Sequence, residues 1–196
     1  MSATPSCQAL PSVLSALRAQ TGQMHSRLEK RLPFFSARLD LSLYTRLIQA
    51  YYGFYQPLEA ALQARPWLPA GLDMGERLKV PTLLCDLQSL GVEHPDGLAL
   101  CTRLPVIDGP ASALGVLYVL EGATLGGQIL RREILARLGL DEHTGAAFLD
   151  VYGRETGRRW KAYLSLLDEQ PTDPQFLHAA ALAAESTFTC FEQWLD

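Results

Sequence analysis

Residues 113–130 read ALGVLYVLEGATLGGQIL, and this stretch decides the fold. Glu121 is its only charge, and Gly115, Gly122, Gly126 and Gly127 interrupt an otherwise apolar run. The pentapeptide VLYVL at 116–120 is β-prone, but the apolar pattern continues well past strand length. A helix over 111–138 is therefore predicted, with Gly139 as its C-cap. Each mid-helix glycine costs about 1 kcal/mol against alanine. Gly115, Gly122 and Gly126 are spaced by seven and four, so they line one stripe. Such a stripe calls for a close approach. A second helix packed tightly would satisfy it, and so would a flat ligand, with the glycines also letting the helix bend. A membrane span is a third reading, but no second segment of similar length and apolarity accompanies it.

Working outward, the chain reads as helices. Upstream, Pro81 suits the first turn of a helix over 81–90, closed by Gly91. Residues 92–110, with three prolines and two glycines, read as a long connection. Leu43, Leu47, Tyr51, Phe54, Leu58 and Leu62 mark a helix over 41–63. Pro57 lies inside it and crowds the carbonyl of Gly53, so a kink is expected. Residues 64–75 are a loop by composition, and Leu14, Leu17, Met24 and Leu28 give a first helix over 11–30. Downstream, Phe148, Tyr152, Trp160, Leu164 and Leu167 predict a helix over 145–168, and a last helix runs from about 174 to the end. The expectation is an all-α single domain spanning 1–196, with 1–10 poorly ordered.

Composition excludes several classes. The 196 residues are 48% hydrophobic and 19% charged, enough to bury a core. Net charge is −4 with no basic block, which argues against nucleic-acid binding. The N-terminus MSATPSCQALPSVLSALRAQ lacks a basic start followed by an apolar core, so no secretory signal is read. Cys7, Cys85, Cys101 and Cys190 form no CxxC pair, which fits a reducing cytoplasm.

Two further features could carry chemistry. His25 projects onto the same helical face as Leu14, Thr21 and Leu28, so it is expected to point to the core. It is either a satisfied core histidine or a metal ligand. Glu29, four residues on, could take the other imidazole N–H. Arg154, Arg158, Arg159 and Lys161 form a basic cluster, either a solvated face or a partner for ligand carboxylates. An imidazole backed by a carboxylate, a glycine stripe and a basic rim together suit heme: planar, iron-centred, with two propionates.

The motifs LRAQTGQMHSRLE (17–29), YYGFYQPLE (51–59), GVLYVLEGATLGGQIL (115–130), YGRETGRRWKAYL (152–164) and FEQWL (191–195) resemble a heme oxygenase. The likeness is to the bacterial branch associated with bacteriophytochromes. The resemblance implies a single all-α domain with heme b between a proximal and a distal helix. It places His25 as axial iron ligand and Glu29 as the carboxylate behind it. It puts Gly122, Gly126 and Gly127 on the distal helix, where the reaction is shaped. Thr21 and Tyr118 would be substrate-binding, Tyr118 as pocket wall or as propionate contact, and Arg154 and Arg158 would meet the propionates. Ala123 stands where animal-type members carry an aspartate that holds distal water. Heme would be cofactor and substrate, cleaved with O2 to biliverdin, CO and ferrous iron. Electrons would come from a reductase or ferredoxin, since no GxGxxG fingerprint is present. A bacteriophytochrome would be a possible acceptor of the bilin. A non-catalytic heme carrier on the same scaffold is the alternative.

Overall fold

The structure, a computed structural model, describes residues 12–64, 68–69 and 71–196. Cys7 and the expected disorder of 1–10 lie outside the described residues. Seven α-helices follow one another: α1 Val13–Arg31, α2 Leu41–Gln63, α3 Val80–Ser89, α4 Pro110–Gly122, α5 Gly127–Leu138, α6 Thr156–Asp168 and α7 Pro174–Trp194. The described residues contain no strand.

The helix starts are written locally. Ser12, Asp40 and Asp173 each accept a backbone N–H of the first turn of α1, α2 and α7. α3 lacks such a neighbour in sequence. Its first-turn donors, Lys79 N and Val80 N, instead reach the carboxylate of Glu59 on α2, at 2.8 and 3.2 Å. α2 passes through Pro57 without ending. Pro57 has no N–H, so the carbonyl of Gly53 is left over, and Cys101 N donates to it at 2.8 Å. Gly53 permits this approach, because a Cβ there would lie 2.5 Å from the Ala99 carbonyl.

α7 is the element on which α4 and α1 both lean. α4 packs so closely that a Cβ on Gly115 would sit 2.1 Å from the Ala180 carbonyl. The first glycine of the stripe is thus a helix-packing glycine. The Pro110–Leu138 stretch is long and apolar enough by composition to cross a membrane, but half of its most apolar window is buried inside the molecule.

Two expected helices differ. The helix over 111–138 is broken: Ala123–Gly126 tighten into a 3-10 turn between α4 and α5. The helix over 145–168 begins only at Thr156, preceded by short 3-10 turns at Phe148–Asp150 and Gly153–Glu155. Gly153, at φ +51°, is the break, since that conformation cannot continue a right-handed helix.

Candidate functional site

A cavity of about 630 Å³ opens between α1 and the 3-10 turn that separates α4 from α5. α2 closes one side with Tyr51, Phe54 and Tyr55, and α7 closes another with Thr187, Phe188 and Phe191. Trp160 of α6 and Tyr118 of α4 form an aromatic corner, ring centroids 5.9 Å apart. The volume lies within the range of small-molecule and cofactor pockets.

His25 stands on the α1 wall. It does not point into the core, as the helical projection suggested; its side chain is 54% exposed and faces the cavity. The face it shares with Leu14 and Leu28 is only half-buried, because the cavity occupies the space a core would fill. Nδ1 lies 3.6 Å from Glu29 Oε2, too long for a direct hydrogen bond but within ion-pair reach. The ring meets Phe188 edge-on, centroids 6.1 Å apart. Thr21 is buried beside it and donates to Leu17 O at 2.8 Å within its own helix.

The glycines divide into two groups. A Cβ on Gly126 would meet nothing within 4 Å, and one on Gly122 would make only ordinary contact with Trp160 at 3.8 Å. Both line the same cavity as His25. Gly127 does not line it. A Cβ there would lie 1.6 Å from Leu149 O, so Gly127 exists to let the 148–150 turn pass. Its place on the cavity is corrected accordingly.

The basic cluster also divides. Arg154 and Arg158 are exposed and absent from the cavity wall, and Arg158 pairs with Glu155. Arg159 donates to Glu76 O at 2.8 Å and lies over the Tyr152 ring. The basic residue that does line the cavity is Arg18. It forms no ion pair among the described residues. It lies seven residues before His25, two helical turns along one stripe, and that spacing is the sequence signal that could have found it.

Behind the 3-10 turn lies a smaller chamber of about 30 Å³, sharing Tyr51, Tyr55, Ala123 and Leu130 with the large cavity. That is room for about one water. Tyr55 is 3% exposed, and neither its hydroxyl nor that of Tyr51 has a hydrogen-bond partner among the described residues. Lys79 completes the lining. Its Nζ donates to Glu121 Oε1 at 2.7 Å, to Arg77 O at 2.8 Å and to Tyr152 Oη at 3.0 Å. Arg77 takes the second oxygen of Glu121. Burial pushes Lys79 below the usual lysine range, opposed by Glu121, and pushes the Tyr152 hydroxyl upward. The lone charge of the opening apolar stretch is therefore the centre of a buried ionic knot one residue before Gly122.

The residues fit a flat, iron-centred ligand. α1 offers an imidazole to the cavity, and the 3-10 turn region offers backbone at positions where no Cβ fills the space. Comparisons with known proteins agree. The heme oxygenase family profile matches residues 101–196. The heme oxygenase PigA of Pseudomonas aeruginosa is 27% identical over 180 residues, covering 92% of this chain and 89% of that protein. A heme oxygenase structure from Leptospira interrogans matches with TM-score 0.78 at 20% identity, covering 93% of this chain and 98% of that one. The heme oxygenase of Neisseria meningitidis, determined with NO and CO bound, matches with TM-score 0.73 at 20% identity, covering 94% and 90%.

Proposed function

We propose that this chain, which sequence and fold place among the bacterial heme oxygenases, cleaves heme to biliverdin, CO and ferrous iron. One observation carries the reading: His25 and the glycines Gly122 and Gly126, whose missing Cβ atoms leave space free, line one and the same cavity. Bound heme supplies the iron that activates O2 and the macrocycle that is oxidised.

The chain's residues do the rest. His25 would hold the iron, and Glu29, with Oε2 3.6 Å from Nδ1, stands close enough behind the ring to take its other N–H after a small shift. Gly122 and Gly126 present backbone bulk without an acidic side chain, which favours attack on the macrocycle over cleavage by a distal acid. Tyr118 and Trp160, whose rings lie 5.9 Å apart on the cavity wall, would pack against the bound group. Arg18, also on the wall, would supply a positive charge for its carboxylates. Ala123 has no acid, so the task of ordering water falls to the chamber behind it. There Tyr55 and Tyr51 line a space with room for about one water, and the Lys79–Glu121 pair lies beside it. Electrons come from a separate reductase or ferredoxin in the cytoplasm. The likeness of the five motifs to the bacteriophytochrome-associated branch supports a bacteriophytochrome as acceptor of the bilin, with CO and iron released beside it.

The test is direct. Hemin is titrated into the apoprotein and followed by its Soret band, then an electron donor is added in air and the bilin is extracted. Biliverdin production supports the reading. Binding without product would assign the chain as a heme carrier, and no Soret shift would remove heme altogether.

A further inference from the structure

α1 is gripped unevenly. Its buried side chains, Val13, Leu17 and Thr21, all lie in its first half, whereas His25 lies in the second. Polar contacts tie α1 to α7 from Gln20 onward. Gln20 reaches Glu185, Arg27 reaches Glu192 and Arg31 reaches Asp196, each 165 positions apart, so the two helices run parallel in register.

The middle pair differs from the others. Arg27 donates from two nitrogens, Nε to Oε1 at 2.7 Å and Nη2 to Oε2, the fork geometry that fixes orientation as well as distance. Glu192 is buried at 8% exposure, and both of its oxygens take Arg27, with Arg31 adding a weaker attraction. Arg27 follows His25 by two residues, and Glu192 follows Phe188 by one turn. Phe188 is the ring that meets the His25 imidazole edge-on. One fork thus fixes both sides of that contact.

We propose that the Arg27–Glu192 fork is the positioning device for His25, holding its turn against α7 so that the imidazole stands over the cavity. This rests on the reading that His25 binds the heme iron. Neither residue touches the ligand; both act through His25.

The experiment uses the full chain loaded with hemin. Arg27→Gln, Glu192→Gln and the double variant are compared with wild type, and His25→Ala serves as the unligated reference. Hemin release to a scavenging apoprotein gives the off-rate, and the ferric absorption and EPR spectra report imidazole ligation. Each single variant should release hemin about tenfold faster and show two populations, with and without imidazole. The double variant should be no worse than either single one, because the two charges act as a unit. Arg27→Lys, which keeps the charge but not the fork, should recover only part of the effect. Wild-type release and spectra in variants whose apo melting shows them folded would overturn the proposal. Faster release with imidazole ligation fully kept would also overturn it, leaving the fork a general structural contact. If His25→Ala itself keeps the wild-type spectrum, the underlying reading fails and the proposal fails with it.

Discussion

Lys79 Nζ donates to Glu121 Oε1 at 2.7 Å with both side chains 1% exposed, directly under the point where α4 gives way to the 3-10 turn. Glu121 also takes Arg77, so a single carboxylate balances two buried cations. Glu121→Gln leaves both cations without a countercharge. The apo protein should lose about 3 kcal/mol or more, read as a fall in the denaturant midpoint at unchanged slope. An unchanged midpoint would show that the knot contributes nothing net.

The two adjacent glycines should respond oppositely to alanine. Gly126 has open space where a Cβ would go and an ordinary right-handed backbone. Gly126→Ala should keep the apo melting temperature or raise it, by up to about 1 kcal/mol, while biliverdin yield falls. Gly127→Ala drives a Cβ into the Leu149 carbonyl and should destabilise the apo protein by roughly 1–3 kcal/mol. Apo unfolding and biliverdin yield measured on both variants check this. A clear loss of apo stability in Gly126→Ala with normal yield per folded molecule would make it a packing glycine.

Arg18, not Arg154 or Arg158, should matter for binding. Arg18 is exposed at the cavity wall, so an ion pair there is worth about 1 kcal/mol, roughly fivefold in hemin affinity. Arg18→Ala should show that loss in an equilibrium titration. Arg154→Ala and Arg158→Ala should titrate like wild type.

Glu192 gives a pH dependence with a definite sign. The Arg27 hydrogen bonds hold its carboxyl below the usual range. A depressed folded pKa contributes stability above the unfolded pKa and loses it as pH falls through the folded one. The melting temperature of wild type should exceed that of Glu192→Gln at neutral pH, and the gap should close as pH falls through the lowered carboxyl range. A gap that persists unchanged into acid would mean that ionisation of Glu192 is not its source.

Much of the fold was legible because its helices are locally punctuated. Ser12, Asp40 and Asp173 announce three starts, and Gly139, at φ +69°, closes α5. The bend at 123–126 was not legible as a break, since ATLG carries no residue that forbids a helix. The glycines only permitted it; the buried knot below and the Leu149 carbonyl beside Gly127 impose it. The false helix over 145–155 arose because Phe148 and Tyr152 mimic helical spacing, while Gly145 and Gly153 hold positive φ. In the site, His25, Glu29, Gly122 and Gly126 stood out by type and spacing. Arg18 did not, because an arginine on an amphipathic helix reads as solvent-facing until the wall it lines is known. Arg77, Lys79 and Glu192 escaped for the same reason: periodicity assigns charge to the surface and cannot anticipate a partner from another helix.

The missing N–H at Pro57 has a consequence for the least regular part of the chain. Between α3 and α4 the backbone wanders, apart from one 3-10 turn at Pro95–Gly97, without a periodic ladder of its own. The orphaned Gly53 carbonyl gives it a backbone mooring on α2, occupied by the Cys101 amide. Any residue except proline can supply that amide, so the sequence at the mooring can drift while the path of the strap cannot. The constraint that fixes the strap is therefore written some forty positions upstream, in the ring of a proline it never touches through a side chain.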